Sequence, residues 1–292
     1  MSEAKTIAQG EAAADARAAA RPRLSRPRGI VVRTERRWSA PRVVATQLAI
    51  LVLTLGLWEL GVRAGRIDPF FWSQPSAIWR TAIVFVTQGS ALYDTWFTVS
   101  ATLVGFLVGT VSGAAIGLSF WWSRNVSAVL EPFVIVFHAV PKLAFAPLII
   151  LLFGIGISSK IALAIALTMV ISILAAHGGV KALDDDLVRL MYTLGASRWQ
   201  VFTKVVIPSS MPWIISSMRI NIGMALAGTI VGEFVSSQHG LGKLILYAGS
   251  TYEMALIWVG IIVLSAVAVG MYGAVIRLER VLLRGVRAQV SE

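Results

Sequence analysis

Residues 157–178 read ISSKIALAIALTMVISILAAHG, an apolar stretch of 22 residues that contains one lysine and one histidine. A helix of about 20 apolar residues crosses the roughly 30 Å of hydrocarbon in a bilayer. Similar runs flank this stretch in the sequence, at 43–63, 96–122, 129–154, 207–236 and 254–277. Because a segment of this length satisfies its own backbone hydrogen bonds in lipid only as a helix, the sequence predicts an all-α integral membrane protein with about six transmembrane helices.

The composition agrees with a membrane protein. Hydrophobic residues make up 57% of the chain, charged residues 14%, and the mean hydropathy is +0.76. A soluble fold of 292 residues cannot hide so much apolar surface. The net charge of +11 comes from basic residues in the first forty or so positions and between the apolar runs, so it argues for membrane topology and against a nucleic-acid partner.

The chain divides into three segments by composition. Residues 1–42 are rich in Ala, Arg and Pro without apolar periodicity, which predicts a disordered, basic cytoplasmic tail. Residues 43–285 form the predicted six-helix domain, and 286–292 form a cytoplasmic end. The apolar stretch at 77–86 is too short to span, and we expect a short surface helix or a re-entrant segment there.

The distribution of basic residues predicts the orientation. In a six-span count, the arginines before the first span, the basic residues of 181–204 and the arginines at the end of the last span fall on one side. The other side keeps a minority: Arg63, Arg66, Arg80, Lys160 and Lys243. By the positive-inside rule, we expect both termini to be cytoplasmic.

The second span carries four glycines at steps of four residues. They are Gly105, Gly109, Gly113 and Gly117, and they give one smooth helix face. Tight helix packing is the first interpretation, and a surface that lines the solute pathway is the alternative.

The third span contains Pro132, Pro141 and Pro147, which predicts a helix broken at membrane depth. Since an ionisable residue there is costly, His138, Pro141 and Lys142 are candidates for the solute pathway. Lys142 could instead extend to the interface or pair with a carbonyl. Three further ionisable residues lie near predicted span ends, where an interfacial position is more common than a catalytic one: Glu131, Arg219 and Glu233.

Residues 184–208, DDDLVRLMYTLGASRWQVFTKVVIP, predict a helix, a tight turn and a second helix. The aspartates cap the first helix, and Gly195 ends it. Ser197 and Gln200 have the spacing of a capping box, and Pro208 opens the next span. Leu187, Leu190, Met191 and Leu194 fall on one apolar face of the first helix. This face and an exposed Trp199 need a partner. A hairpin that merely lies on the lipid surface is the alternative.

This segment resembles the cytoplasmic EAA loop of ABC importer permeases. That loop ends in a glycine, a nine-residue gap and I-x-L-P, and here Gly195 is followed after nine residues by 205–208, VVIP. Arg189, Leu190 and Met191 replace the E-A-A triplet. Within a loop at about 184–206 and the start of the next span, the resemblance assigns ATPase coupling to Arg189, Leu190, Met191, Leu194, Gly195, Ala196, Ser197, Arg198, Trp199, Val205, Ile207 and Pro208.

Two further stretches, 140–156 (VPKLAFAPLIILLFGIG) and 236–247 (SSQHGLGKLILY), are similar to permeases of the nitrate, sulfonate, taurine and bicarbonate uptake group. The resemblance covers residues 43–285. It implies two permease copies, forming a homodimer in membrane lipid, two ATPase subunits that bind ATP and magnesium, and an extracytoplasmic substrate-binding protein. The implied solute is a small anion such as nitrate, a sulfonate, taurine or bicarbonate. Similar permeases carry pyrimidine precursors or other solutes, and the external binding protein normally sets specificity. The resemblance also implies a location in a bacterial inner membrane.

The sequence contains no motif for chemistry of its own. It has no G-x-x-x-x-G-K-[ST] loop, H-E-x-x-H or G-x-S-x-G, no cysteine, and three histidines. We therefore expect no catalytic residue, no metal site and no cofactor in this chain. An ion-coupled secondary carrier is the alternative function; it would place acidic or histidine relays at mid-membrane, and the sequence offers few. A membrane-embedded enzyme or scaffold would leave the 184–208 segment without a role.

Overall fold

The computed structural model describes residues 39–87 and 91–290, with side chains up to Leu283. The predicted tail lies outside the described residues as far as position 38, and so do the side chains of the predicted cytoplasmic end. Two compact units divide the chain, residues 1–52 and 53–292. The described part of the first unit is a helix segment in which the Thr46 hydroxyl donates to the Arg42 carbonyl at 2.8 Å. All that follows concerns the second unit, apart from the bounds of the first helix.

The described residues form twelve α-helices and no strand. They are α1 (Ala40–Arg63), α2 (Pro69–Trp72), α3 (Pro75–Thr87), α4 (Ala91–Ser119), α5 (Arg124–Ala139), α6 (Ala146–Phe153), α7 (Ile157–Lys181), α8 (Asp185–Thr193), α9 (Arg198–Val201), α10 (Ile207–Val235), α11 (Leu241–Ser250) and α12 (Met254–Val290). Short 3₁₀ turns follow α4 and precede α6, and a π-turn at Phe202–Val206 joins α9 to α10.

Five helical stretches are long and apolar enough to cross a membrane: Ala40–Arg63, Ala91–Trp122, Ile157–Lys181, Arg198–Val235 and Met254–Leu283. A sixth candidate is the pair Arg124–Ala139 and Lys142–Phe153, whose halves are bent by 78°. The prediction of an all-α membrane protein with about six spans is confirmed. The stretch predicted to be too short to span is α3, whose Ile78 and Phe85 pack against Val259 of α12.

Helices α4, α7 and α10 pack against one another and form the centre of the described fold. All four glycines of the predicted row are buried against α7. A Cβ atom added at any of them would overlap that helix, at Ala164 for Gly105, Thr168 for Gly109, Met169 for Gly113 and Ile173 for Gly117. This placement fits the packing interpretation of the row.

One polar residue sits at the centre of the three packed helices. Asn221 of α10 is completely buried, and its amide nitrogen donates to Thr110 of α4 at 3.1 Å and to Ser172 of α7 at 2.7 Å. Hydrogen bonds of this kind between helices contribute about 1 kcal/mol each in membranes. They fix the register in which the three helices meet.

The broken third span has one break, at Val140–Pro141. Pro132 lies within α5, and Pro147 lies in the first turn of α6, where a missing N–H costs nothing. Pro141, in contrast, precedes the 3₁₀ turn Lys142–Phe145, where the chain changes direction.

The fifth span begins earlier than predicted. Pro208 lies in the first turn of α10, as expected, but the helical backbone already starts at Arg198. A proline ring in an α-helix clashes with the carbonyl four residues before it, here that of Lys204. The π-turn widens the helix at this point, and the Ile207 N–H bonds to the Phe202 carbonyl, five residues back.

Candidate functional site

The 184–208 hairpin, which comprises α8, a turn, α9 and the start of the fifth span, forms from local signals. The Asp184 carboxylate accepts a hydrogen bond from the Asp186 N–H at 2.8 Å and so caps α8. At the other end, Gly195 adopts a left-handed backbone with φ of +79°. The Ala196 N–H then reaches back to the Met191 carbonyl at 2.9 Å, which ends the helix.

The second helix starts with a complete capping box. The Gln200 N–H donates to the Ser197 hydroxyl at 3.3 Å, and the Ser197 N–H donates to the Gln200 side-chain oxygen at 2.7 Å. Each of the two side chains thus accepts a hydrogen bond from the backbone N–H of the other residue. The turn between the two helices therefore has a defined geometry.

An aromatic cluster, formed by Trp121, Trp122, Trp199 and Phe202, joins the hairpin to the end of α4. Ring centroids in contact are 5.3 to 5.9 Å apart. Arg198 lies over the two tryptophans of the 3₁₀ turn that follows α4, and its guanidinium donates to the Trp122 carbonyl. The sequence analysis missed this cluster because its two halves are more than seventy residues apart; the Trp-Trp pair at 121–122 was the available signal.

The apolar residues of the hairpin divide into an inner and an outer set. Val201, Phe202 and Val206 are buried, and Met191 and Val205 pack against them. The outer set is exposed, and its exposed fractions are 48% for Leu187, 54% for Leu190, 74% for Leu194 and 61% for Trp199, whose ring also touches the aromatic cluster on one side. The sequence analysis had placed Met191 on the same face as the leucines, whereas the structure turns it toward the inner set.

The remaining predicted coupling residues lie elsewhere on the hairpin and at the start of the fifth span. Arg189 is exposed and lies 3.5 Å from the Asp186 carboxylate, one turn earlier. Ala196 and Ile207 pack on the inner cluster, and Pro208 follows the π-turn. The hairpin thus brings the predicted coupling residues together on one compact element.

The predicted pathway residues lie at the bend between α5 and α6. The Lys142 ammonium donates to the His138 carbonyl at 3.0 Å, across the break that Pro141 makes. This is the carbonyl pairing that the sequence analysis kept as an alternative. His138 is exposed and Lys142 is half-buried in the single chain.

The three other ionisable residues are all paired. Glu131 of α5 bonds Lys181 of α7 at 2.5 Å, and Arg219 forms a two-point ion pair with Glu279, which ties α10 to α12. Glu233 lies near a helix end, as expected, but its side chain is completely buried rather than interfacial.

Glu233 belongs to a buried polar network that the sequence did not reveal. Its carboxylate accepts hydrogen bonds from the Thr98 hydroxyl at 2.8 Å and from the Gly242 N–H at 2.7 Å. Lys160, also completely buried, donates to the carbonyls of Ile155 and Ser236. Asp94 accepts from the Gly240 N–H at 2.8 Å. These bonds fix the loop between α10 and α11 on the ends of α4 and α7.

The side chains described up to Leu283 contain no group of three or more His, Asp or Glu residues arranged to hold a metal ion. Within that part of the chain, the polar clusters pair acids with bases or with backbone groups. We therefore assign no chemical step to these residues.

Comparison with known proteins agrees with the fold. Residues 105–287 match the family described as the binding-protein-dependent transport system inner membrane component. The chain is 30% identical over 234 residues to the riboflavin transport system permease protein RibX of Chloroflexus aurantiacus, covering 80% of this chain and 87% of that protein. It is 27% identical over 237 residues to the taurine transport system permease protein TauC of Escherichia coli, covering 80% and 86% respectively.

The fold is also known from a solved structure, the inward-facing MetNI methionine ABC transporter. It matches with a TM-score of 0.59 at 16% identity and covers 67% of this chain and 97% of that one. None of these matches supports the ion-coupled carrier, and in this family ATP is hydrolysed by a separate subunit. The chain therefore belongs to the inner membrane components of binding-protein-dependent transport systems, which are permease subunits of ABC importers and not enzymes.

Proposed function

We propose that the 184–208 hairpin is the surface on which the ATPase subunit docks. The observation that carries this proposal is the outer set of Leu187, Leu190, Leu194 and Trp199, which is exposed on an otherwise well-capped element. Apolar side chains in such a row mark a contact site for another protein. The alternative of a hairpin lying in lipid fits less well, because exposed Asp185, Asp186 and Arg189 share the same short helix.

The hairpin is connected to the membrane spans in a way that can transmit its displacement to them. It continues into α10 through the π-turn, and the aromatic cluster attaches it to the end of α4. Since α4 and α10 both pack on α7, movement of the ATPase would displace all three central helices as a unit. This connection gives ATP, bound with magnesium in the partner subunit, a mechanical route to the solute pathway.

The functional assembly contains two copies of this chain, two ATPase subunits and an extracytoplasmic binding protein. One side of α10 in the single chain exposes small residues at heptad spacing, Ser209, Ser216 and Gly223. Small residues let another helix approach closely in a membrane, which supports a second copy on this side. The bend at His138, Pro141 and Lys142 would line the pathway between the copies, with both termini cytoplasmic.

The solute we propose is a small anion delivered by the binding protein, with taurine and other sulfonates as the first candidates. The E. coli relative carries taurine in its name, and a Bacillus subtilis relative, 27% identical over 238 residues, is named for aliphatic sulfonates. A thermal-shift screen of the partner binding protein against nitrate, bicarbonate, taurine, sulfonates, riboflavin and formylaminopyrimidine tests this. If only riboflavin or formylaminopyrimidine stabilises the binding protein, the proposal of a small anion is wrong.

Docking is tested by Leu190→Asp and Leu194→Asp in a pull-down of the ATPase subunit. Each change puts a charge into the proposed contact without disturbing the buried cluster, so we expect normal accumulation and at least about tenfold less retained ATPase. The matched control is Leu246→Asp on α11, where the leucine is 51% exposed but far along the chain from the hairpin. Full retention in both hairpin variants would refute the docking surface.

A companion variant examines the departure from the EAA pattern. Arg189→Glu restores the acidic residue of the family triplet at an exposed position. If an acid there contacts the ATPase, retention rises above that of the unaltered chain, whereas Asp186→Asn, one turn away, leaves it unchanged. Lower retention in Arg189→Glu would assign the contact to the arginine itself.

A further inference from the structure

A cavity of about 440 Å³ lies where α4 and α7 end and α5 and α8 begin. We call it the α5–α7 cavity. Its polar lining consists of Arg124, Ser127, Glu131, His177, Lys181 and Asp185. Phe120 and Trp121 close it on the side of α4. The proposed ATPase contact is the outer set of Leu187, Leu190, Leu194 and Trp199, none of which lines this cavity.

His177 is the unusual member of this lining. Its side chain is more than nine-tenths buried, yet neither ring nitrogen has a hydrogen-bond partner among the described residues. The nearest carboxylate oxygen, on Glu131, is 3.6 Å from Nε2, and the ring of Phe120 packs edge-on at 5.1 Å. A buried polar group without a partner is costly. A hydrogen-bond acceptor inside the cavity would satisfy the imidazole.

The two cationic side chains of the cavity, Lys181 and Arg124, differ in how strongly each is paired with a carboxylate. Lys181 is held by Glu131 at 2.5 Å, so its charge is compensated. Arg124 is almost fully exposed, and its guanidinium lies 3.8 Å from the carboxylate of Asp185, which is also exposed. Such an ion pair is weak because solvent screens it. The guanidinium of Arg124 is thus free to exchange Asp185 for a better anion.

The backbone adds to the positive potential at the same place. Helix α5, which has 16 residues, begins at Arg124, and Arg124, Ser127 and Ala128 line the cavity. The N–H groups in the first turn of a helix carry a positive partial charge. Ser123 caps one of them, at Val126. A helix N-terminus beside an arginine and a buried imidazole is an arrangement that suits a phosphate group.

We propose that the α5–α7 cavity binds a phosphate group, with Arg124 and the His177 ring as its donors. A phosphodiester with one negative charge fits better than a dianion, because Glu131 and Asp185 already supply two carboxylates. Tryptophans 121 and 122 and the adjoining helix ends mark a membrane interface, where phospholipid headgroups carry that diester. An anionic phospholipid is therefore the favoured source, and free inorganic phosphate is the other.

Native mass spectrometry of the purified full-length chain tests the site. The chain is stripped of lipid in mild detergent and titrated with phosphatidylglycerol. We expect one high-affinity lipid, bound about tenfold more weakly by Arg124→Gln and by His177→Leu, as the loss of one charge-assisted hydrogen bond would give. The control is Arg277→Gln, another exposed arginine near the end of a span. Because Arg124 is exposed, its variant folds and decides the question if His177→Leu fails to accumulate.

A second arm separates the two sources. Inorganic phosphate at millimolar concentration is added to the lipid-free chain, and the melting temperature is recorded for the same variants. A phosphate-dependent rise that both variants abolish, without selective lipid binding, assigns the site to free phosphate. If neither ligand responds to Arg124→Gln or His177→Leu, the proposal is wrong. The ATPase is not present in either arm, so the outcome is independent of the docking proposal.

Discussion

Gly195 is the residue on which the shape of the hairpin depends. Its φ of +79° is unfavourable for any residue with a Cβ, although nothing lies within 4 Å of where that Cβ would be. The cost of a substitution is therefore backbone strain of about 1 to 2 kcal/mol rather than a clash. We expect Gly195→Val to lose ATPase retention and uptake, and Gly195→Asn, which tolerates the left-handed region, to lose much less. Equal loss in both variants would point to a contact at this position instead of strain.

Glu233 gives the second prediction at this scale. Glu233→Ala leaves the Thr98 hydroxyl and the Gly242 N–H without their acceptor in a buried site, a cost of about 3 kcal/mol. We expect a clear fall in melting temperature in detergent, and a smaller one for Glu233→Gln, which keeps one acceptor oxygen. A shift in Glu233→Ala no larger than in Glu253→Ala, at an exposed position, would contradict a structural role for the polar network around Glu233.

Among the elements, α4 and α7 depend on glycine for their close approach. A Cβ at Gly113 would overlap the Met169 carbonyl, which belongs to the backbone of α7 and cannot move aside. We expect Gly113→Ala to reduce accumulation and thermal stability of the chain. The matched control is Gly270→Ala in α12, where nothing lies within 4 Å of the added atom, and this variant should behave like the unaltered chain.

The aromatic cluster should act as the anchor of the hairpin. Trp122→Ala removes ring contacts with Trp121, Trp199 and Phe202 at once. Large aromatic truncations in packed sites cost about 3 kcal/mol or more, so the hairpin should detach locally while the spans stay folded. Hydrogen exchange of residues 185–201 would then be faster, with α7 unchanged. Trp213→Ala, an exposed tryptophan of α10, is the control.

At the scale of the whole molecule, six spans and the distribution of arginines predict two cytoplasmic termini. A reporter active only outside the cytoplasm should be silent after Glu292 and active within 239–253, the loop and helix around α11. An active reporter at Glu292 would require an odd number of spans. It would also place the 184–208 hairpin and the chain terminus on different sides.

The sequence predicted what local chemistry determines. Five spans follow from apolar length, and the Asp184 cap, the Gly195 turn and the Ser197–Gln200 box follow from residues within a few positions of each other. Contacts between distant segments could not be predicted in this way. Thr98 and Glu233 are 135 positions apart, and Arg198 meets Trp122 across 76. The interfacial position predicted for Glu233 followed from its place near a predicted span end. The donors that allow it to be buried come from distant segments, so only the fold reveals them.

The π-turn at Phe202–Val206 also sets the rotational phase of the hairpin. It holds one residue more than an α-helical turn, so everything before it is rotated by about 100° around the helix axis relative to an unbroken helix. Deleting Val205 would restore the α-helical count and swing Leu194 and Trp199 to another side of α10 with no change in their chemistry.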